Sequence, residues 1–203
     1  MIKLFHAPRS RSSRIIWLLE ELGADYTIQP VDIARLMENA GGPDPSNPHP
    51  DKQVPAIDHD GVLITESIAI TAYLSDLFPA AGLAPGLGDA QRGPYLTWLA
   101  WYAAALEPAV MDTLSGDVER SPMRRRNYDA VVRRLEAVLS RGPYLLGARF
   151  TSADLIVSSA LNWARQAFPQ SAAIDAYAAR CRERPAARRA VMLDDASGMQ
   201  RAA

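Results

Sequence analysis

KQVPAIDHDGVLITES, residues 52–67, sets two short apolar runs on either side of a turn, and the first run opens against a proline. Val54 is followed at once by Pro55. Proline has no backbone N–H to give a sheet, so it is confined to an edge, a bulge or a strand's first residue. Residues 54–57 and 62–64 read as two strands, and Asp58-His59-Asp60-Gly61 between them ends in the Asp-Gly pair that tight hairpins favour. Residues 66–77 then read as a helix with an apolar stripe of Ile68, Ile70, Ala72, Tyr73 and Leu77.

Upstream, IKLF at 2–5 reads as a buried strand. A helix follows, with Ile15, Ile16, Leu18, Leu19 and Leu22 at helical spacing, serine at its start and Gly23 where a left-handed cap belongs. Residues 26–33 alternate as a second strand, which completes a β-α-β unit with an expected right-handed crossover. Residues 39–51 hold four prolines and two glycines and read as a loop. The expected architecture is therefore an α/β domain over 1–78, a Pro/Gly-rich linker over 79–88 and an all-α domain over 89–203. Helices are expected at 89–116, 122–140, 152–167 and 171–184.

Composition narrows the function classes. Of the 203 residues 48% are hydrophobic and 22% charged, which is the mix of a folded soluble chain rather than a disordered one. A net charge of −1 gives no general attraction for nucleic acid, and the basic residues Arg124–Arg126, Arg133 and Arg134 read as a solvated helix face. The longest apolar run, residues 98–106, is too short to span a bilayer, and the first residues lack a signal peptide's apolar core. The single cysteine, Cys181, cannot form an internal disulfide, which suits the cytoplasm. His6, His49 and His59 lack the spacing of a metal site, so no metal is expected.

Four motifs bear on chemistry. Val54 before Pro55 is pushed to extended backbone. A cis bond there would turn Val54's N–H and C=O outward, where a peptide-like ligand could pair with them; an edge strand that begins with proline accounts for the same residues. Glu66-Ser67 at a helix start offers an anion site, a hydroxyl and a carboxylate, enough for an amino-acid head group, or simply caps the helix. Residues 8–14, PRSRSSR, follow the first strand where α/β proteins place ligands, so a serine hydroxyl there can face a bound anion or cap the helix. Thr151 with Asp154 three residues on is an acidic variant of the capping box, a structural role whose loss should cost about 1–2 kcal/mol.

Together VPAI, the hairpin, ITES, the serine loop and WLLEELG resemble the glutathione S-transferases, and GARFTSADLIVSSAL at 147–161 resembles the segment that opens the central helix of that family's second domain. The resemblance runs from about residue 2 to residue 184. It implies a thioredoxin-like N-terminal domain followed by a helical bundle, with glutathione as co-substrate in the first. Val54, before a cis Pro55, would pair with the cysteinyl backbone, Glu66 and Ser67 would hold the γ-glutamyl end, and Gln53 would lie near the glycyl end. The helical domain would supply the pocket for a hydrophobic electrophile, and the protein would be a homodimer without nucleic-acid or membrane partners.

Some branches of that family place a tyrosine near the first strand, where this chain has Phe5 and His6. Branches that use a cysteine need one well before residue 181. A serine-type site of the bacterial kind remains, with Ser10 the best match by spacing and Ser12 second. Arg11, Trp101, Tyr102 and Ala105 are candidates for the electrophile pocket, although aromatic stripes more often form core. Glutathione-dependent isomerases, dehalogenases and ether-cleaving enzymes share these features, as would a non-catalytic binding protein of the same fold.

Overall fold

The structure, a computed structural model, describes residues 1–35 and 39–202. The chain divides into two compact units, Met1–Ala81 together with Pro185–Ala203, and Gly82–Arg184. The expected all-helical domain ran to residue 203; its last helix instead joins the first unit.

In the first unit β1 (Ile2–His6), β2 (Tyr26–Pro30), β3 (Ala56–His59) and β4 (Val62–Thr65) form one sheet in the order β2-β1-β3-β4. β1 runs parallel to β2 and antiparallel to β3, and β3 is antiparallel to β4. β2 stops at Pro30, three residues short of the expected end, although Val31 still gives its N–H to His6 O at 2.9 Å. β3 begins at Ala56, two residues later than expected, so Val54 and Pro55 stand outside the ladder. The β3–β4 turn is Asp60-Gly61, with φ 52° and 87°, both in the left-handed region that a tight hairpin demands.

α1 (Ser13–Leu22) buries Ile15, Ile16, Leu18, Leu19 and Leu22, and Gly23 ends it at φ 62°. α2 (Ser67–Leu77) buries Ile70 and Leu74. Complete burial of each such side chain stabilises the fold by about 1.5–3 kcal/mol. α9 (Pro185–Ala202) packs along α1.

In the second unit, the long helix expected at 89–116 starts at Arg92 and is not uniform. α3 (Arg92–Trp101) passes through a widened π segment, Tyr102–Leu106, into α4 (Glu107–Leu114). Pro108 supplies the reason: it has no N–H for the carbonyl of Ala104 and its ring crowds that carbonyl, and a widened turn relieves both. After the short α5 (Asp117–Arg120) come α6 (Pro122–Leu139), α7 (Ser152–Trp163) and α8 (Ala172–Arg182). Tyr95, Tyr102, Leu106, Leu155, Ile156 and Tyr177 lie in this unit's core. Among the described residues no helix is long and apolar enough to cross a membrane.

Candidate active site

Strand register brings three segments to one end of the first unit's sheet. Phe5 pairs with Ala56 across β1 and β3, and Ala56 with Thr65 across β3 and β4. The chain after β1, the chain before β3 and the chain after β4 therefore all leave at that end. They are the serine loop, Gln53-Val54-Pro55 and Glu66-Ser67. Ala7, Val31 and Val54 share one buried cluster edged by Phe5 and Ile33, which ties the first two segments together.

The Val54–Pro55 peptide is cis. Val54 is only 8% exposed, yet its N–H and C=O have no partner among the described residues. The approach to it is firmly held: Asn47 Nδ2 donates to Gln53 O at 3.0 Å, Asn47 Oδ1 accepts from His49 N at 3.0 Å, and Lys52 Nζ donates to Asn47 O at 2.7 Å. The side chain of Gln53 is exposed.

Glu66 sits at φ 68°, ψ 119°, a region that costs a non-glycine residue about 1–3 kcal/mol and that clusters at functional sites. Its carbonyl accepts from Ile70 N at 2.9 Å and starts α2, while its carboxylate is exposed. Neither that carboxylate nor the Ser67 hydroxyl has a protein partner among the described residues. The side chains thus do not cap the helix; they face outward beside its N-terminal dipole.

The two candidate serines separate. Ser10 is half-buried; its Oγ donates to Ala7 O at 2.6 Å and lies 2.7 Å from Ser12 Oγ. Ser12 is fully buried, so a surface ligand cannot touch its hydroxyl directly, which corrects its candidacy for sulfur contact. Although Ser12 is the residue before α1, its side chain does not cap the helix. It turns inward to His6 Nδ1 at 2.8 Å and accepts from Ala7 N at 3.2 Å.

Behind this loop stands Asp194, on the buried side of α9. Its carboxylate accepts from Arg9 N at 3.0 Å and from Ser13 Oγ at 2.6 Å, and lies 3.2 Å from His6 Nε2. That last contact is off the axis of the ring N–H, so it is a close charge contact rather than a straight hydrogen bond. Burial alone would raise the carboxyl's pKa, but His6, Ser13 and the Arg9 N–H together hold it below the usual carboxylate range.

The four electrophile-pocket candidates also divide. Tyr102 is 1% exposed and forms core, so it does not line a pocket. Trp101 and Ala105 share the wall of a cavity of about 390 Å³ between the π segment, α4 and α6, where Arg134 lies 5.0 Å from the Trp101 ring centre. Arg11, in the first unit, is exposed.

Comparison with known proteins supplies the family. The sequence profile "Glutathione S-transferase, N-terminal domain" matches residues 1–76, and "Glutathione S-transferase, C-terminal domain" matches residues 100–189. The chain belongs to the glutathione S-transferase family. It is 31% identical over 167 residues to glutathione S-transferase GstA of Escherichia coli O157:H7, a match covering 80% of this chain and 82% of the relative. A glutathione transferase structure from Methylococcus capsulatus superposes with TM-score 0.78 at 29% identity, covering 96% and 99% of the two chains. A sphingomonad glutathione S-transferase complexed with glutathione superposes with TM-score 0.77 at 28% identity, covering 95% and 98%.

Sequence reading of this transferase passes over His6 and Asp194. His6 leaves a faint trace, since it continues the inward-facing alternation of Ile2 and Leu4 and so puts a polar ring in the core. Cys181 is buried, and burial pushes its thiol up to about 12, which leaves it inert. Among the described residues no group of three His, Cys, Asp or Glu side chains is arranged to hold a metal ion.

Proposed function

We propose that this glutathione S-transferase conjugates the thiolate of glutathione to hydrophobic electrophiles, with Ser10 donating a hydrogen bond to the sulfur. The observation that carries the reading is the set of unused groups at one end of the sheet: Val54 N–H and C=O, the Glu66 carboxylate and the Ser67 hydroxyl. These match a γ-glutamyl tripeptide. Val54 pairs with its cysteinyl backbone, Ser67 and the α2 N-terminus take its α-carboxylate, Glu66 takes its ammonium, and Gln53 meets its glycyl end. The sphingomonad relative bound to glutathione supports the same ligand.

In the reaction the sulfur forms a bond to an electrophilic carbon, and the leaving group departs with the bonding electrons. A free thiol of pKa near 8.5 is about 3% thiolate at neutral pH, and lowering it by about two units requires roughly 2.7 kcal/mol. One charge-assisted hydrogen bond beside a helix N-terminus is of about that size. The thiolate fraction rises about 25-fold, but lower basicity returns about eightfold of the gain. The net is only a few-fold, so most acceleration has to come from holding the electrophile against the sulfur. We assign that pocket to the helical unit, with Trp101 and Ala105 as lining candidates. A homodimer in the cytoplasm is part of the same reading.

Calorimetric titration with glutathione, followed by turnover of a generic aryl halide, tests it. Ser10→Ala should keep glutathione affinity while the pH midpoint of kcat/KM moves up by about two units. Unchanged turnover and pH profile would remove Ser10 from the mechanism, and no heat on titrating the wild-type protein would remove the function.

A further inference from the structure

The serine loop is not a row of independent hydroxyls. From inside outward, Asp194 Oδ1 lies 3.2 Å from His6 Nε2, His6 Nδ1 lies 2.8 Å from Ser12 Oγ, and Ser12 Oγ lies 2.7 Å from Ser10 Oγ. His6 and Ser12 are fully buried, Asp194 is 8% exposed, and Ser10 is the most exposed of the four. A ligand beside Ser10 therefore reaches Nδ1 of the ring by way of the two hydroxyls.

We propose that Asp194, His6 and Ser12 form a proton relay that accepts the proton of the glutathione thiol through Ser10. The inference rests on the reading that Ser10 faces the sulfur. The Asp194 carboxylate, 3.2 Å from Nε2, repels a bare nitrogen lone pair, so this charge contact favours the proton on Nε2 and leaves Nδ1 bare. Nδ1 then accepts from Ser12, whose oxygen accepts from Ser10 once the Ser10 hydrogen swings from Ala7 O, 2.6 Å away, to Ser12 at 2.7 Å, and the Ser10 oxygen accepts from the thiol S–H. Passage of one proton along each link breaks the S–H bond and protonates Nδ1. Every hydroxyl then points outward: Nδ1–H donates to Ser12, Ser12 to Ser10, and Ser10 to the thiolate. The ring's new charge lies beside the Asp194 carboxylate, and the proton returns to water by the same path after the product leaves. His6 and Asp194 touch no substrate and are positioning residues. The charged groups brought to this loop are Asp194 from α9 and the guanidinium of Arg35, whose Nη2 donates to Pro8 O at 2.7 Å; Arg14 is buried in the first turn of α1.

Nitrogen NMR of the His6 ring in the wild-type protein reads this directly. The expected spectrum shows Nε2 protonated and Nδ1 bare in the free protein, and both nitrogens protonated once glutathione is bound as thiolate. Asp194→Asn removes the negative charge beside Nε2 and with it the bias that keeps Nδ1 bare. The apparent pKa of bound glutathione, followed by thiolate absorbance, should rise by about one unit in that variant. Arg189→Ala loosens the same helix by removing the 2.8 Å bond to Glu20, and it should leave that pKa where it was. An unchanged His6 ring with the thiolate formed, or equal pKa shifts in the two variants, overturns the relay while the transferase stands. Failure of the wild-type protein to bind glutathione overturns both.

Discussion

Ser10 and Ser12 are two residues apart and look equivalent in the sequence, yet only one reaches the surface. Ser12 satisfies His6 Nδ1 and the Ala7 N–H in a site without water contact. Ser12→Ala strands both groups, and a buried polar group without its partner costs about 1–3 kcal/mol. Denaturant unfolding should show a loss of that size with an unchanged slope; a loss below about 0.5 kcal/mol would mean that the loop rearranges to cover it. Asp154 repeats the lesson in the second unit. Beyond Thr151, whose N–H and hydroxyl donate at 2.8 and 2.9 Å, its carboxylate accepts from Leu145 N at 2.8 Å and Tyr177 OH at 3.1 Å. The motif identified the residue and its structural role but not its reach. Asp154→Ala should therefore lower the unfolding free energy by about 3–5 kcal/mol, above the 1–2 expected of a helix cap. A loss within the cap range would show that the two remote donors find other partners.

At the scale of elements, α9 is the longest that sequence patterning missed. Its buried residues include Ala186, Ala187, Ala190 and Asp194, which follow helical spacing but supply three methyl groups and a carboxylate. Hydrophobic periodicity searches for large apolar side chains, and here small ones allow close packing on α1 while the buried acid serves the active-site loop. The Asp194 carboxyl is held below its ordinary range in the folded protein. Its stabilising contribution is therefore full above the unfolded value of about 3.9 and is lost as pH falls through the lower folded value. The gap in Tm between the wild-type protein and Asp194→Asn should be constant near neutrality and close below about pH 4. A gap that widened on acidification would reverse the assignment. By contrast, the β3–β4 hairpin was legible because Asp60-Gly61 encodes its turn in local backbone preference.

On the scale of the whole molecule, the first unit is discontinuous: the chain leaves it at Ala81 and returns at Pro185. The N-terminal unit is therefore completed by α9, which packs on α1 and brings Asp194 to the serine loop. Removing residues 185–203 exposes the face of α1 that α9 covers and leaves Arg9 N–H and Ser13 Oγ without Asp194. Such a truncation should lose the near-ultraviolet signal of Trp17 and glutathione binding together. Retention of both would show that the first 81 residues fold without α9.

The sequence by itself determined the class of fold and the family. Pro55 after Val54, Asp60-Gly61, Gly23 and Glu66-Ser67 each act on the backbone beside them, so their meaning survives being read in one dimension. It also named the groups left unpaired at the sheet's end. Only the tertiary structure decided that Ser12 is buried and Ser10 half-exposed, that Tyr102 is core while its neighbour Trp101 lines a cavity, and that Asp194 meets Arg9 across 185 residues of chain. Burial and long-range pairing depend on what folds against a residue, and a contact between distant segments imposes no period or spacing on either one.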